Sequence, residues 1–283
     1  MSEILSQEAS ALPPAIPPRA VARWRWWLHL ALITAYVLAI GATAVFQEKG
    51  GPPALSSSTR GLLWASAESL LSFGAVFAVA WLASRATREE LRLPWRGGLL
   101  PIPLGIVYSL GLRIAVGVAA VVVAVTLVLL QVVGREELQD LMQSSAPDFG
   151  GVVSLESMRE NPTYFWLMLT LVSFVVAGLR EELWRAAFLA GMRGLWPRRF
   201  ASRKAELWAV AVAAVVFGFG HAAMGPLAVA AAFVLGFGLG AIMVFHRSIW
   251  PAVLAHGFFD ATSFAVLPWA AEKLQEASRA LGQ

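Results

Sequence analysis

Apolar runs of about bilayer length recur from Trp26 onward and leave little choice of fold. They lie near 26–46, 60–83, 103–133, 163–180, 205–220, 226–245 and 249–268. A hydrocarbon core about 30 Å thick takes roughly 20 helical residues. Backbone groups in lipid have no water to bond, so each run must be a helix. Only 14% of the 283 residues are charged and 58% are hydrophobic, whereas soluble domains carry about 25% charged residues. Such a chain cannot cover itself with polar surface. The sequence reads as all-α, a polytopic membrane helix bundle of about seven spanning helices. Its 12 Trp fit, because Trp concentrates at bilayer interfaces.

Composition divides the chain into a disordered tail over 1–22, a membrane bundle over 23–268 and a short polar tail over 269–283. Ala42-Thr-Ala44 resembles a leader-cleavage site. The run before it is longer than the 7–15 residues of a leader, so a retained helix is expected. The third run is long, with a candidate break at Gly111-Leu-Arg113. The fourth runs into Glu181 and Glu182, and Leu183 to Leu195 reads as a separate short amphipathic helix ended by Gly194 and Pro197. Gly218, Gly220, Gly236, Gly238 and Gly240 are expected to let helices approach closely. No strand precedes them, so they are no dinucleotide fingerprint.

The net charge of +4 does not point to nucleic acid, because Arg-rich loops on one membrane face give the same number. Alternate loops carry Arg19, Arg23 and Arg25, then Arg85, Arg88, Arg92 and Arg96, then Arg193 to Lys204, then Arg247. The opposite loops are poorer in Lys and Arg. The positive-inside rule then expects a plasma (inner) membrane protein, N-terminus cytoplasmic and C-terminus outside. The acidic loop from Glu136 to Glu160 faces out. Membrane lipid is the expected surrounding partner, and oligomeric state is not readable.

Ionisable groups at membrane depth are costly, so they pair or act. Glu181, Glu182 and Arg185 share one helical turn, with Arg185 four residues from the first carboxylate and three from the second. Either spacing allows a pair. A salt-bridged interfacial turn explains these three without any chemistry. His221 ends the fifth run after Phe217. His256 and Asp260 share a face of the seventh, where the carboxylate can fix the imidazole tautomer. A carboxylate and a His from different helices can activate water, and a second His can donate to an oxyanion. His29 and His246 read as interfacial, with no role. Glu68 and Arg113 read as a structural pair with each other. The absence of Cys excludes disulfides, thiol catalysis and Cys-type zinc sites. No Ser sits in a nucleophile elbow, and His-Glu-x-x-His is absent. No cofactor is expected and no metal ligand is assigned, although two His with carboxylates have the chemistry to hold zinc.

The ordered trio Glu181-Glu182-Leu-Trp-Arg185, Phe217-x-x-x-His221 and His256-x-x-x-Asp260 resembles the CPBP family of intramembrane glutamic proteases. That family includes the CAAX prenyl endopeptidases and bacteriocin-processing or immunity (Abi-like) proteins. The resemblance covers roughly 160–268, and Ser248-Ile-Trp-Pro-Ala-Val-Leu-Ala-His256 also fits it. It implies a metal-independent endopeptidase acting on a peptide or protein at the bilayer. Glu181 or Glu182 with His221 would activate water, His256 and Asp260 would stabilise the oxyanion, and Arg185 would hold the glutamates. The family's first motif is Glu-Glu-x-x-x-Arg, and this chain is one residue short. Aligned on the glutamates, Glu181 is the first carboxylate and the Arg is rotated by about 100°. Aligned on Trp184-Arg185, Arg180 occupies the first position and Glu181 the second.

Two other classes compete. A non-catalytic scaffold or immunity-type relative is favoured by the altered first motif. A small transporter with a proton relay would need inverted repeats and broken helices, and the sequence has no evident repeat.

Overall fold

The computed structural model describes residues 21–45, 55–132, 134, 137 and 152–281. The expected tail over 1–22, except its last two residues, and most of the loop from Glu136 lie outside these. The described residues form eight helices and no strand: α1 Arg23–Val45, α2 Thr59–Ser84, α3 Pro101–Leu129, α4 Leu155–Glu160, α5 Pro162–Leu195, α6 Arg203–Phe219, α7 Pro226–His246 and α8 Trp250–Leu281.

Helix starts follow local chemistry. Ser58 Oγ accepts from Gly61 N before α2, and Ser202 Oγ accepts from Ala205 N before α6. Asn161 caps α5, accepting from Tyr164 N, with Pro162 in its first turn. Each side-chain oxygen satisfies a donor that the helix leaves unpaired.

The bundle is all-α as expected, but its spans differ from the seven separate runs. Among the described residues, α1, α2, α3, α5 and α7 are long and apolar enough to cross a membrane. α6, with 17 residues, and α8, whose apolar stretch carries His256, Asp260, Thr262 and Ser263, fall outside that measure. Both nevertheless pack within the bundle, α6 along α7 and α8 along α3 and α5. With these helices the chain is an integral membrane protein.

Three local expectations are corrected. α3 runs unbroken through Gly111 and Arg113; one glycine costs a helix only about 1 kcal/mol. The fourth run and the expected amphipathic helix are one continuous α5 of 34 residues. Nothing between Gly178 and Gly191 breaks a helix, and Trp184 through Gly191 are all buried, so this stretch is core and not an interfacial helix. α8 continues past Pro268 to Leu281. The described residues from 269 on are thus helical and continue the last span. Glu68 and Arg113 are not partners: Glu68 is exposed on α2, and Arg113 bonds to α8.

Two features of α5 place the site. Its middle, Met168–Leu179, is π-helical and ends directly before Arg180. Ser173 Oγ donates to Met168 O, five residues back, at 2.8 Å. A π turn rotates everything beyond it relative to an α-helix. Second, α5 and α8 lie close: a Cβ on Gly178 would sit 3.0 Å from Val253 O, and one on Gly257 would sit 2.2 Å from Phe174 Cδ1.

The bundle has two distinct ends. At one, Arg92 donates to Met243 O and Glu206, and Arg193 donates to Glu206 and to Glu90 O. Burial, with Arg193 and Arg247 nearby, lowers the Arg92 guanidinium to about 10 despite its partner Glu206. This end gathers the Arg-rich loops that sequence places on one face. At the other, Asn161 donates to Thr59, and Arg159 donates to Pro268 O. His29, expected to be interfacial, is fully buried between Ala80 O at 3.0 Å and Ala187 O at 2.9 Å. It ties α1 to α2 and α5. His246 lies 2.8 Å from Tyr108 Oη.

Candidate active site

The last turns of α5 carry a core before they carry charge. Trp184 is buried, donates Nε1–H to Ile33 O at 2.8 Å, and stacks on Phe217 of α6. Its Nε1–H therefore has an acceptor, as a buried indole requires. That wall of Trp184, Phe217 and Phe188 fixes the rotation of the helix. The neighbouring residues then have set directions.

Glu182 and Arg185 point into the protein. Both side chains are 0% exposed and form an ion pair. The Arg185 Cζ also lies 4.7 Å from the centre of the Phe217 ring, a contact worth about 2 kcal/mol when desolvated. The Glu182 carboxylate and the ring face together hold its guanidinium. Two glycines of α7 make room. A Cβ on Gly236 would lie 3.5 Å from Arg185 Nη2, and one on Gly240 would lie 3.2 Å from Arg185 Cδ. The expected close packing by these glycines is thus packing around the arginine itself.

His256 of α8 joins this buried pair. Its Nδ1 lies 3.2 Å from Glu182 Oε1. An ionised carboxylate only accepts, so Nδ1 carries the proton and donates. Nε2 then faces the other way. Around it stand Glu181 Oε2 at 3.7 Å and Asp260 Oδ2 at 3.6 Å. Both carboxylates keep some exposure, 17% and 21% of their side chains, unlike Glu182. Adjacent glutamates thus separate into one sealed in the core and one at an accessible edge.

His221 stands beyond the end of α6, half-buried, with its ring 4.6 Å from that of Phe217. The His256 ring meets the same Phe217 ring edge-on at 6.4 Å. Phe217 therefore separates the two imidazoles. His221 Nδ1 lies 2.9 Å from Phe217 O. A carbonyl only accepts, so Nδ1–H is the donor and Nε2 keeps its lone pair. His221 is also close enough to act on the Glu181 charge.

All six expected residues are placed: Glu182, Arg185 and His256 form the buried half, with Glu181, Asp260 and His221 around its open side. Two arginines outside the expected set also take part. Arg180 Nη2 donates to Glu181 Oε1 at 2.7 Å, and its Nη1 bonds to Ser69 of α2. Arg113 of α3 donates to Phe259 O, Thr262 and Ser263 on either side of Asp260. Both are ionisable residues inside apolar runs, which was the available signal. What they touch depends on helix packing. Among the described residues, no three His, Asp or Glu form a metal-holding group.

Fold and cluster define a class: a polytopic membrane protein with a buried carboxylate–histidine centre shared by three helices. A family model described as type II CAAX prenyl endopeptidase Rce1-like matches residues 162–262. Over that stretch, about a third of the chain, the protein is thus similar to a protease family, in line with the CPBP resemblance of the three motifs. The matched stretch holds all six expected site residues; α1 to α3 lie before it. No curated protein and no solved structure matches the chain.

Proposed function

We propose that the protein is a membrane-embedded endopeptidase that hydrolyses a peptide bond with a water activated by Glu181 and His221. The observation that carries this is the opposite fate of the two glutamates. Glu182 is sealed against Arg185 and His256, whereas Glu181 is accessible and aimed at the same His256. Water between Glu181 and His221 gives its proton to the carboxylate while its oxygen adds to the substrate carbonyl. His221 Nε2 accepts the second hydrogen bond of that water. As the imidazolium, His256 donates Nε2–H to the oxyanion. Collapse breaks the C–N bond, and Glu181 returns the proton to the leaving amine. Glu182 holds the His256 ring in place throughout. Asp260 supports the same nitrogen, and no metal enters the scheme.

The substrate is a peptide segment held at the bilayer. We place the N-terminus in the cytoplasm of a plasma (inner) membrane protein, because the Arg-rich loops gather at one end of the bundle. Glu181→Ala and His221→Ala should each abolish cleavage of a co-expressed substrate, and chelators should not. Loss of cleavage with a chelator, restored by zinc, would overturn the metal-independent scheme.

A second reading rests on the Arg180–Glu181 pair, which gives Glu181 a purely structural partner. As a non-catalytic scaffold, the protein would keep its cellular phenotype in Glu181→Gln and lose it in Gly236→Leu.

A further inference from the structure

Arg180 stands where the first motif is irregular. Successive residues on an α-helix point about 100° apart, so i and i+1 side chains do not normally meet. Here they do. Arg180 Nη2 lies 2.7 Å from Glu181 Oε1, and the two side chains are only 16% and 17% exposed. The other guanidinium nitrogen bonds to Ser69 Oγ on α2. The Glu181 carboxylate is thereby tied through Arg180 to a helix that lies before the family-matched segment.

A glutamate on a flexible stem has two equivalent oxygens and several rotamers, so its direction needs a partner. Engagement of Oε1 by Arg180 leaves Oε2 as the oxygen that faces His256 Nε2 at 3.7 Å. Arg185, three residues beyond Glu182, is fully buried and paired with Glu182. From the geometry we infer that Arg180 is the positioning residue of the reactive carboxylate, doing for Glu181 what Arg185 does for Glu182, with Ser69 as its anchor.

This inference rests on the proposed function for its kinetic consequence and on geometry alone for the contact. The charged or titratable groups acting on Glu181 are Arg180 on its own helix, His221 after α6, and His256 and Asp260 on α8. Arg113 of α3 acts on Asp260. Arg180 is the arginine in direct contact with Glu181. Its removal takes away both a directional bond and a favourable charge.

The test compares wild type, Arg180→Gln, Arg180→Lys and Ser69→Ala in nanodiscs, with two readouts. One is kcat and KM on a peptide that the wild type cleaves, across pH. The other is infrared titration of the carboxylate band identified as Glu181 by its loss in Glu181→Gln. Arg180→Gln should lower kcat by about tenfold or more through misplacement, leave KM nearly unchanged, and move the acid limb of kcat and the infrared midpoint to higher pH. Arg180→Lys should restore most of both, and Ser69→Ala should fall between. Wild-type kcat with an unmoved midpoint in Arg180→Gln would overturn the inference, as would a rise in activity. If Arg180→Gln does not fold, Arg180→Lys and Ser69→Ala must still differ from wild type in the stated order. A wild type that cleaves no peptide would count against the proposed function, and the infrared arm would still decide the positioning.

Discussion

Glu182 is 0% exposed between Arg185 and His256, while its neighbour Glu181 keeps an accessible oxygen. Stability and chemistry should therefore separate on substitution. Glu182→Gln leaves Arg185 as a buried, uncompensated charge, a loss of about 3–5 kcal/mol. It should lower the thermal midpoint in detergent markedly. Glu181→Gln should melt near wild type and yet be inactive. A second prediction concerns the glycine floor beneath Arg185. A Cβ at position 236 would stand 2.9 Å from Phe217 Cδ1 and 3.5 Å from Arg185 Nη2. Gly236→Ala should therefore cost about 1–3 kcal/mol by overpacking, measured as reduced thermal stability. The residues that cluster here stand out in the sequence because lipid makes an unexplained charge conspicuous. The division of labour between the glutamates was not. Spacings of three and four residues both allow a partner on one helix face, and the choice depends on how α5 is rotated against Phe217.

At the scale of elements, α5 is where sequence and structure part most. Hydropathy shows an apolar run and then a charged turn, which reads as a span followed by an interfacial helix. The π geometry of Met168–Leu179 leaves no trace in hydropathy, because it changes hydrogen-bond register and not composition. It also sets where Glu181 points. Deletion of Val175 should rotate the following residues by about 100° and carry Glu181 away from His256. Cleavage should then be lost while the protein still inserts in the membrane, read by activity and by carbonate extraction. Glu68 and Arg113 gave a misleading signal of the same origin. Two charges in apolar runs looked like partners, but Arg113 is satisfied by a carbonyl and hydroxyls of α8. Sequence spacing carries no information on which helix lies opposite.

The whole bundle puts Arg92, Arg193 and Glu206 at one end and Asn161, Thr59 and Arg159 at the other. That segregation follows the alternation of basic loops along the chain, which is why the broad architecture was legible. The number of spans was less so, since α6 is short and α8 carries polar residues along its length. The chain has no Cys, so single introduced cysteines report topology cleanly. Cysteine at Lys204 should be labelled by a membrane-impermeant maleimide only after the cells are opened. Cysteine at Glu156 should be labelled in intact cells. The reverse pattern would invert the proposed orientation.

The proposed activation of water by Glu181 can be followed by incubating wild type and Glu181→Gln in nanodiscs with a bilayer-anchored peptide mixture in heavy-oxygen water. Mass spectrometry of the products reads the outcome. Wild type, with a chelator present, should yield fragments whose new C-terminus carries one solvent oxygen, and an equally well-folded Glu181→Gln should yield none. Cleavage by Glu181→Gln at the wild-type rate would rule out Glu181 as the base.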